Sequence, residues 1–476
     1  MQKIEYALIG GKRVESERTI EVMNPSTGTV LAVTADCGAR EIDLAVASAA
    51  AAQAIWKKVS VPERARLLRV VGNLILRDWD ELAELESLQT GKPFAQGRRD
   101  TELTARYFDF YASAIETFYG GSFNLDERTQ VITSFEPHGV TAHIIPWNYP
   151  LQIMGRSVAP ALATGNCSVV KPAEETPLTA LKLAELVAEA GFPSGAMNVL
   201  PGLGETAGAA LTAHPGIGHI SFTGSVEVGR IIAHAAADLL IPATLELGGK
   251  SPNIVFADAD LDKAVPVIAN AILQNGGQTC SAGSRLIVER SVHDEVMTRL
   301  REVFADVVIG PAMENPGLGP MISSQQRERV LSYIEIGASE GIVLCGGQGL
   351  SGGRFGGGYF VEPTIIDGVS SSSRVFQEEI FGPVLVTTAF DTVDEAVALA
   401  NATEYALVAG VWTTNINTAQ RMVREVVSGQ VFVNSYGASG GVELPFGGFK
   451  HSGYGREKGA EGLRGFVQIK TSVVVS

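Results

Sequence analysis

Residues 140–172 read VTAHIIPWNYPLQIMGRSVAPALATGNCSVVKP, and this stretch decides the fold of the chain. It opens with an apolar run over residues 140–145 and closes with a second apolar run over residues 167–170. Between the two runs, the residues after Pro150 have room for a helix. Strand, helix and strand in this order predict a βαβ unit, whose two strands lie parallel in one sheet. The stretch therefore predicts an α/β protein.

The same alternation continues further along the chain. Strands and helices take turns up to about residue 247, and a second α/β stretch is predicted from residue 253 to about residue 433. Repeated βαβ units predict parallel sheets with helices on both faces, and such sheets bind ligands at the carboxyl ends of their strands. The predicted elements are helix 179–190, strand 197–200, helix 205–213, strand 219–222, helix 226–239, strand 253–256 and helix 262–274.

Three segments lie outside these units. Apolar residues at helical spacing predict one helix over residues 62–88, with Pro62 at its start and Gly91 just past its end. Residues 129–136 and 466–475 are predicted to be strands with few partners in the chain. Unpaired edge strands promote aggregation unless they are covered. We therefore expect a homodimer or homotetramer in which another subunit covers them.

The composition argues against several classes of protein. A chain of 476 residues is too long for one core, so two or three domains are expected. The net charge is −15 and no long Lys/Arg run occurs, so no nucleic-acid partner is expected. The start of the chain does not resemble a secretory signal, and no apolar run of about 18 residues predicts a membrane span. The four cysteines are scattered, which argues against disulfides and metal sites and favours the cytoplasm.

Two glycine-rich turns follow predicted strands and open predicted helices. Residues 202–207, GLGETA, nearly match the dinucleotide fingerprint, and residues 222–229, FTGSVEVG, also allow a close backbone approach. A helix start offers N–H groups to a phosphate. Turns of this kind are also common without any ligand. Their spacing alone therefore does not decide between a cofactor-binding turn and a turn that binds nothing.

Three polar residues are candidates for chemistry. Cys280 lies among Gly, Gln, Thr and Ser, where a thiolate can face a pocket, although most cysteines are small buried apolar residues. Glu246 lies between two leucines and is either partly exposed or a buried carboxylate with a raised pKa, which suits a general base. Asn148 lies in PWNYP (146–150), where its amide can donate to an oxyanion or the segment is a structural turn.

Taken together, these stretches resemble the NAD(P)-dependent aldehyde dehydrogenase superfamily. The resemblance covers essentially the whole chain, with many motifs in the order and spacing of the family. The motifs are PWNYP (146–150), KPAE (171–174), FTGS (222–225), LELGGK (245–250), GQTC (277–280), EEIFGP (378–383) and PFGGFK (445–450), followed by Ser452 and Gly453.

The resemblance implies a fold and its division into domains. It implies an aldehyde dehydrogenase-like α/β fold of two Rossmann-like domains and a small β oligomerisation arm. The NAD-binding domain would comprise residues 1–118 and 139–247, and the catalytic domain residues 248–448. The arm would comprise residues 119–138 and 464–476.

The resemblance also implies a reaction. The thiolate of Cys280 would attack the carbonyl of an aldehyde. The amide of Asn148 and the backbone N–H of Cys280 would hold the oxyanion. Loss of hydride to NAD would leave a thioester, and Glu246 would activate the water that hydrolyses it.

Ten residues match the cofactor contacts of the family. Among them, Glu174 is expected to accept hydrogen bonds from the adenosine ribose and to repel the extra phosphate of NADP, so the sequence predicts NAD. The turn at Gly204 would lie near the adenine without cradling the pyrophosphate. The ten residues are Ile145, Trp147, Lys171, Glu174, Gly204, Phe222, Gly224, Ser225, Glu379 and Phe381.

The substrate is predicted from the residue at position 156. Many relatives have Trp there, and Arg156 argues against a cationic aldehyde. Succinate-semialdehyde dehydrogenases have the same Arg, but their second Arg and their Ser correspond to Gln274 and Gly441 here. An aromatic or medium-chain aldehyde is therefore predicted, with an acidic semialdehyde as the alternative, and Arg156 could instead pair with a nearby carboxylate. The predicted substrate pocket comprises Tyr149, Ile153, Arg156, Thr279, Ser281, Gly440 and Phe446.

Two rival interpretations are set against this one. In a CoA-acylating dehydrogenase CoA takes the thioester, but relatives of that type commonly lack the base that Glu246 provides. A structural or binding protein that has lost activity would be expected to lose catalytic residues, whereas Cys280, Asn148, Glu246 and Lys171 are all present.

Overall fold

The computed structural model describes residues 4–437 and 441–476. Within these ranges, a sheet of eight strands, here called the first sheet, forms around the quoted βαβ stretch. Val140–Ile145 and Cys167–Pro172 pair in parallel at its centre, so the predicted α/β class is confirmed. In spatial order its strands are Gly453–Tyr454, Ala243–Glu246, His219–Thr223, Val140–Ile145, Cys167–Pro172, Met197–Val199, Ala7–Ile9 and Lys12–Val14.

The later α/β stretch forms a separate sheet of seven described strands, the second sheet. Its strands run parallel except at one edge, where Ile342–Cys345 is antiparallel to its neighbour. In spatial order they are Ile342–Cys345, Thr364–Asp367, Val384–Phe390, Arg285–Glu289, Pro252–Val255, Val408–Trp412 and Gln430–Val433. The smaller sheets pair Ile4–Glu5 and Arg18–Asn24 with Thr29–Asp36, Gly349–Leu350 with Phe360–Val361, and Tyr405–Ala406 with Phe449–Lys450.

Helices connect the strands, and several of them begin at a residue whose side chain caps the first turn. Val226–Leu239, for example, follows Ser225, whose Oγ accepts the N–H of Val228 at 3.2 Å. None of the helices in the described ranges has the length and hydropathy needed to cross a membrane. The α-helices are Ala39–Trp56, Val61–Arg77, Trp79–Thr90, Phe94–Ala114, Pro150–Ala163, Leu178–Glu189, Ala209–Thr212, Val226–Leu239, Leu261–Leu273, His293–Ala305, Ser324–Glu340, Arg374–Gln377, Val393–Ala400, Ile416–Glu425 and Glu461–Arg464.

The prediction of one helix over residues 62–88 is wrong, because the structure has two helices there. Val61–Arg77 ends and Trp79–Thr90 begins at Asp78, whose φ of −97° and ψ of 24° lie outside the helical region. The apolar periodicity continues across this single residue, so the pattern does not reveal the break. Gly91 ends the second helix with a φ of 80°, as predicted.

The two strands predicted outside the α/β units pair with each other. Thr129–Pro137 runs antiparallel to Val467–Val475, with Thr129 opposite Val475, and Gly121–Asn124 adds a third strand. The expectation that they have few partners within the chain is therefore wrong. This arm sheet still exposes apolar side chains, since Ile469 and Val475 are 67% and 70% exposed.

Candidate active site

The carboxyl end of the first sheet meets a loop that leads towards the second sheet. Asn148 follows the strand Val140–Ile145, and Glu246 is the last residue of the strand Ala243–Glu246. The loop with Cys280 contacts Asn148, because the amide Nδ2 of Asn148 donates to the carbonyl of Gln278 at 2.9 Å. Glu246 is close enough to Cys280 to raise the pKa of its thiol. The structure thus brings the three predicted catalytic residues together.

The loop with Cys280 takes a backbone path that its sequence explains. Asn275, Gly276 and Gly277 all lie in the left-handed region, with φ of 50°, 64° and 70°. Glycine adopts this region freely, whereas a non-glycine residue there costs about 1 to 2 kcal/mol. The side chain of Asn275 offsets this cost by donating to the carbonyl of Asn148 at 2.9 Å. A side chain at Gly277 would collide with the carbonyl of Gly382, so glycine is required there.

Cys280 is half-buried against the side chains of Leu407, Val408 and Phe446. Burial raises the pKa of its thiol to about 11, and the guanidinium of Arg156 opposes that rise. Burial therefore disfavours the thiolate in this environment, and nucleophilic attack requires that the thiol lose its proton.

Asn148 can provide an oxyanion contact beside this thiol. It is 4% exposed, and one N–H of its amide is used by the carbonyl of Gln278. An amide nitrogen has two hydrogens, so one N–H is left for a substrate oxygen. Such a fixed donor stabilises an oxyanion without reorganisation.

Glu246 is a buried carboxyl group without a hydrogen-bond partner among the described residues. Burial, followed by the nearby carboxylate of Glu457, raises the pKa of Glu246 well above its usual range. A raised pKa makes the Glu246 carboxylate a stronger base, which suits a group that takes a proton from water.

An ion pair that the sequence did not reveal lies behind these groups. Arg156 contacts the carboxylate of Glu457, and the hydroxyl of Ser221 donates to the same carboxylate at 3.2 Å. Both charged side chains are about 95% buried. Pairing with a carboxylate was the alternative role considered for Arg156, and the contact with Glu457 fits it.

Two cationic side chains lie over the ring of Phe446. The guanidinium carbon of Arg156 lies 5.1 Å from the ring centroid, and the Nζ of Lys458 lies 5.0 Å from it. No ion pair of Lys458 occurs within the described ranges, and burial followed by Arg156 lowers its pKa to about 8. Glu457 and Lys458 were missed because the sequence GREKG (455–459) has no spacing that links it to residue 156.

Three other predicted pocket residues, Tyr149, Thr279 and Ser281, are chain neighbours of Asn148 or Cys280. The hydroxyls of Tyr149 and Thr279 are 3.0 Å apart, and the carbonyl of Ser281 accepts the hydroxyl of Tyr436 at 2.7 Å. Ile153 is buried on the helix Pro150–Ala163. Gly440 lies outside the described residues.

One group of predicted cofactor residues lies along the ends of the first sheet. The Nζ of Lys171 donates to the carboxylate of Glu174 at 2.8 Å, just after the strand Cys167–Pro172. Ser225 precedes the helix Val226–Leu239, where free N–H groups can hold a phosphate. Gly224 is packed so closely against the ring of Phe222 that a side chain would not fit. Ile145 is buried at the end of its strand, and Gly204 opens the turn 204–208.

A second group comes from the loop after residue 377. The carboxylate of Glu379 accepts the N–H of Gly249 at 2.9 Å, and burial raises its pKa to about 7. The ring of Phe381 meets the ring of Trp147 edge to face, with centroids 5.2 Å apart. Phe381 has a φ of 63°, a left-handed conformation that is unusual for a bulky residue. These contacts place the loop against Gly249 and Trp147, beside the carboxyl ends of the strands of the first sheet.

Comparisons with known proteins agree with this geometry. The model of the aldehyde dehydrogenase family matches residues 13–472. The chain belongs to the aldehyde dehydrogenase family. This confirms the predicted family, and the solved structures of family members with a TM-score of 0.97 confirm the predicted fold.

Three similar proteins illustrate the relationship. Human retinal dehydrogenase 2 is 44% identical over 97% of this chain and 89% of its own length. An aldehyde dehydrogenase of Enchytraeus buchholzi is 45% identical over 96% of this chain and 93% of its own. The solved structure of a P. syringae indole-3-acetaldehyde dehydrogenase mutant, in complex with NAD⁺ and IAA, has a TM-score of 0.97 and 38% identity, covering all of this chain and 97% of that one.

Proposed function

We propose that this NAD-dependent aldehyde dehydrogenase oxidises its substrate to a carboxylic acid through a thioester on Cys280. The predicted enzyme class and the NAD cofactor are confirmed by the family and by the NAD complexes of similar structures. The mechanism itself is supported by one observation. The amide of Asn148 contacts the loop that carries Cys280, and Glu246 lies close enough to influence the charge of the Cys280 thiol.

The reaction follows from these three groups. The thiol of Cys280 gives its proton to water, the resulting thiolate adds to the aldehyde carbon, and the amide of Asn148 donates to the oxyanion that forms. Bound NAD would supply the acceptor for the hydride that leaves this carbon as the thioester carbonyl forms. Glu246 then takes a proton from the water that attacks the thioester. The acid is released, and the Cys280 thiolate that leaves takes up the proton that Glu246 accepted.

The two groups of residues described above fit NAD. Lys171 and Glu174 present an ammonium and a carboxylate that suit ribose hydroxyls, and the helix start at Ser225 suits a pyrophosphate. Glu379 and Phe381 would hold the nicotinamide ribose. NAD is preferred over NADP in this proposal because the Glu174 carboxylate would repel an added phosphate.

Glu174→Gln is expected to raise the efficiency with NADP relative to NAD by about tenfold, since it removes a charge repulsion of about 1.4 kcal/mol. The measurement is kcat/KM with each cofactor at one fixed aldehyde concentration. Glu335→Gln is the matched control, because Glu335 is exposed on the helix Ser324–Glu340, belongs to neither group of cofactor residues and should not affect the preference. A parent enzyme that prefers NADP would contradict the proposed selectivity.

An uncharged aromatic or medium-chain aldehyde is the proposed substrate. Arg156 is already paired with Glu457, so its charge is not available to a substrate carboxylate. The ring of Phe446 and the buried side chain of Ile153 give the pocket an apolar wall. Retinal and indole-3-acetaldehyde, named for two of the similar enzymes, are also uncharged.

An acidic semialdehyde is the second candidate, and Lys458 favours it. Its ammonium lies over Phe446 and has no ion pair in the described ranges, so it could contact a substrate carboxylate.

A panel of aldehydes should separate these candidates. We expect kcat/KM for benzaldehyde and octanal to exceed that for succinic semialdehyde by at least about tenfold, because a carboxylate loses hydration in an apolar pocket. NADH formation and acid release are measured without CoA. Succinic semialdehyde as the best substrate would contradict the proposal and support Lys458 as its contact. A requirement for CoA would indicate the acylating class, and failure of every aldehyde would support an inactive relative.

The assembly and the domain boundaries are further proposals. We propose that residues 119–138 and 464–476 form an arm through which a homodimer or homotetramer assembles, since the arm sheet exposes Ile469 and Val475. Residues 1–118 and 139–247 would bind NAD, and residues 248–448 would supply the catalytic domain. The cytoplasm remains the predicted location. Sedimentation equilibrium should give two or four times the mass of 50.2 kDa, and a monomer would contradict the proposed assembly.

A further inference from the structure

Gln96 connects the two segments that hold the proposed catalytic groups. It lies in the first turn of the helix Phe94–Ala114. Its Oε1 accepts the backbone N–H of Asn275 at 3.1 Å, and its Nε2 donates to the hydroxyl of Tyr149 at 3.2 Å. The carboxamide of Gln96 therefore links two segments. One is the start of the loop that leads to Cys280, at Asn275, and the other is Tyr149, which follows Asn148.

The loop that Gln96 contacts begins with a backbone conformation that is unfavourable for a residue other than glycine. Asn275 begins three consecutive left-handed residues, a conformation that an unrestrained chain would leave. The hydrogen bond to Gln96 holds the backbone at this residue, and the side chain of Asn275 holds the carbonyl of Asn148. At the other end of the loop, Thr279 contacts the hydroxyl of Tyr149 at 3.0 Å.

The tyrosine in this arrangement is itself fixed by buried charges. The Nζ of Lys92 lies 4.4 Å from the centroid of the Tyr149 ring. Lys92 is held by the carboxylates of Asp100 at 2.6 Å and of Glu86 at 3.2 Å, and all three side chains are buried. Tyr149 is therefore a rigid point to which Gln96 and Thr279 attach.

We propose that Gln96 is a positioning residue for the nucleophile of this enzyme. It fixes residues 275–279 from both ends, directly at Asn275 and through Tyr149 at Thr279, and so places the thiol of Cys280 beside the amide of Asn148. Gln96 touches no reacting atom in this proposal, which rests on the proposed role of Cys280. A displacement of about 1 Å at a reacting group can cost about 100-fold in rate, so the effect on catalysis should be large.

Two substitutions at one position test the hydrogen bonds themselves. Gln96→Met has a similar length but removes both contacts. Gln96→Glu keeps both, because a carboxylate accepts from the N–H of Asn275 and from the hydroxyl of Tyr149. Gln53→Met is the control, since Gln53 is a half-buried helix residue with no side-chain hydrogen bond in the described ranges.

Three readouts are needed: kcat and KM from NADH formation, the rate constant for alkylation of Cys280 by iodoacetamide across pH, and the thermal unfolding midpoint. Gln96→Met should lower kcat by about 10- to 100-fold and change the alkylation profile, while the midpoint stays within a few degrees. Gln96→Glu should stay within about threefold of the parent. Gln53→Met should behave as the parent does.

The opposite results would overturn the proposal. Parent-like kcat and alkylation in Gln96→Met, or an equal loss in Gln96→Glu, would show that these hydrogen bonds do not place the thiol. If Gln96→Met does not fold, Tyr149→Phe is used instead, because it removes the hydroxyl that Gln96 and Thr279 contact. An unchanged alkylation profile in Tyr149→Phe would also contradict the proposal. Alkylation requires no turnover, so these outcomes remain distinct from a failure of the proposed reaction.

Discussion

Cys280→Ser is expected to lower the rate of NADH formation by at least about 10³-fold, the largest effect among the substitutions considered. A hydroxyl ionises far less readily than a thiol and is a weaker nucleophile, whereas its size is almost the same. The loop therefore keeps its shape, and the loss can be assigned to chemistry. The measurement is the steady-state rate at saturating aldehyde, together with calorimetric NAD binding, which should be unchanged.

Cys345→Ser is the matched control for this prediction. Cys345 is also a half-buried free thiol, on the edge strand Ile342–Cys345 of the second sheet. It should retain parent activity, because it lies outside the pocket. Residual turnover near the parent level in Cys280→Ser would contradict the assignment of the nucleophile.

Glu246→Gln is expected to preserve a burst of about one NADH per subunit and to slow the following turnover by roughly 10²- to 10³-fold. The burst reports acylation of Cys280. No water attacks in this step, so it does not need Glu246 as a base. The slow phase reports hydrolysis of the thioester. The side-chain amide of Gln cannot accept a proton from the attacking water, so this step slows. Rapid mixing with observation of NADH absorbance separates the two phases.

The pH dependence of the slow phase gives a second test of Glu246. Burial and Glu457 raise the pKa of Glu246, so the parent enzyme should hydrolyse the thioester faster as the pH rises and the carboxyl group loses its proton. Glu246→Gln should lose this dependence. Glu443→Gln, an exposed carboxylate paired with Arg106, should keep both the rate and the profile. A lost burst in Glu246→Gln would instead indicate a role in activating the thiol.

The architecture was largely predictable because its signals are local. Short apolar runs between helices predicted both sheets, and Val226–Leu239 has the predicted bounds, which Ser225 helps to set. The break at Asp78 was not predictable, because one residue that leaves the helical region does not disturb the apolar spacing on either side of it. Pairing of the two arm strands depends on contacts between distant segments and also required the structure.

The sequence by itself determined the class of fold, the family and the three candidate catalytic residues, because motif spacing and apolar periodicity are properties of short segments. Only the tertiary structure decided what surrounds those residues. It paired Arg156 with Glu457, placed Lys458 over Phe446, and joined Gln96 to Asn275. The physical reason is that a buried charge or amide is stabilised by whichever partner the fold brings within reach, and that partner can lie anywhere along the chain.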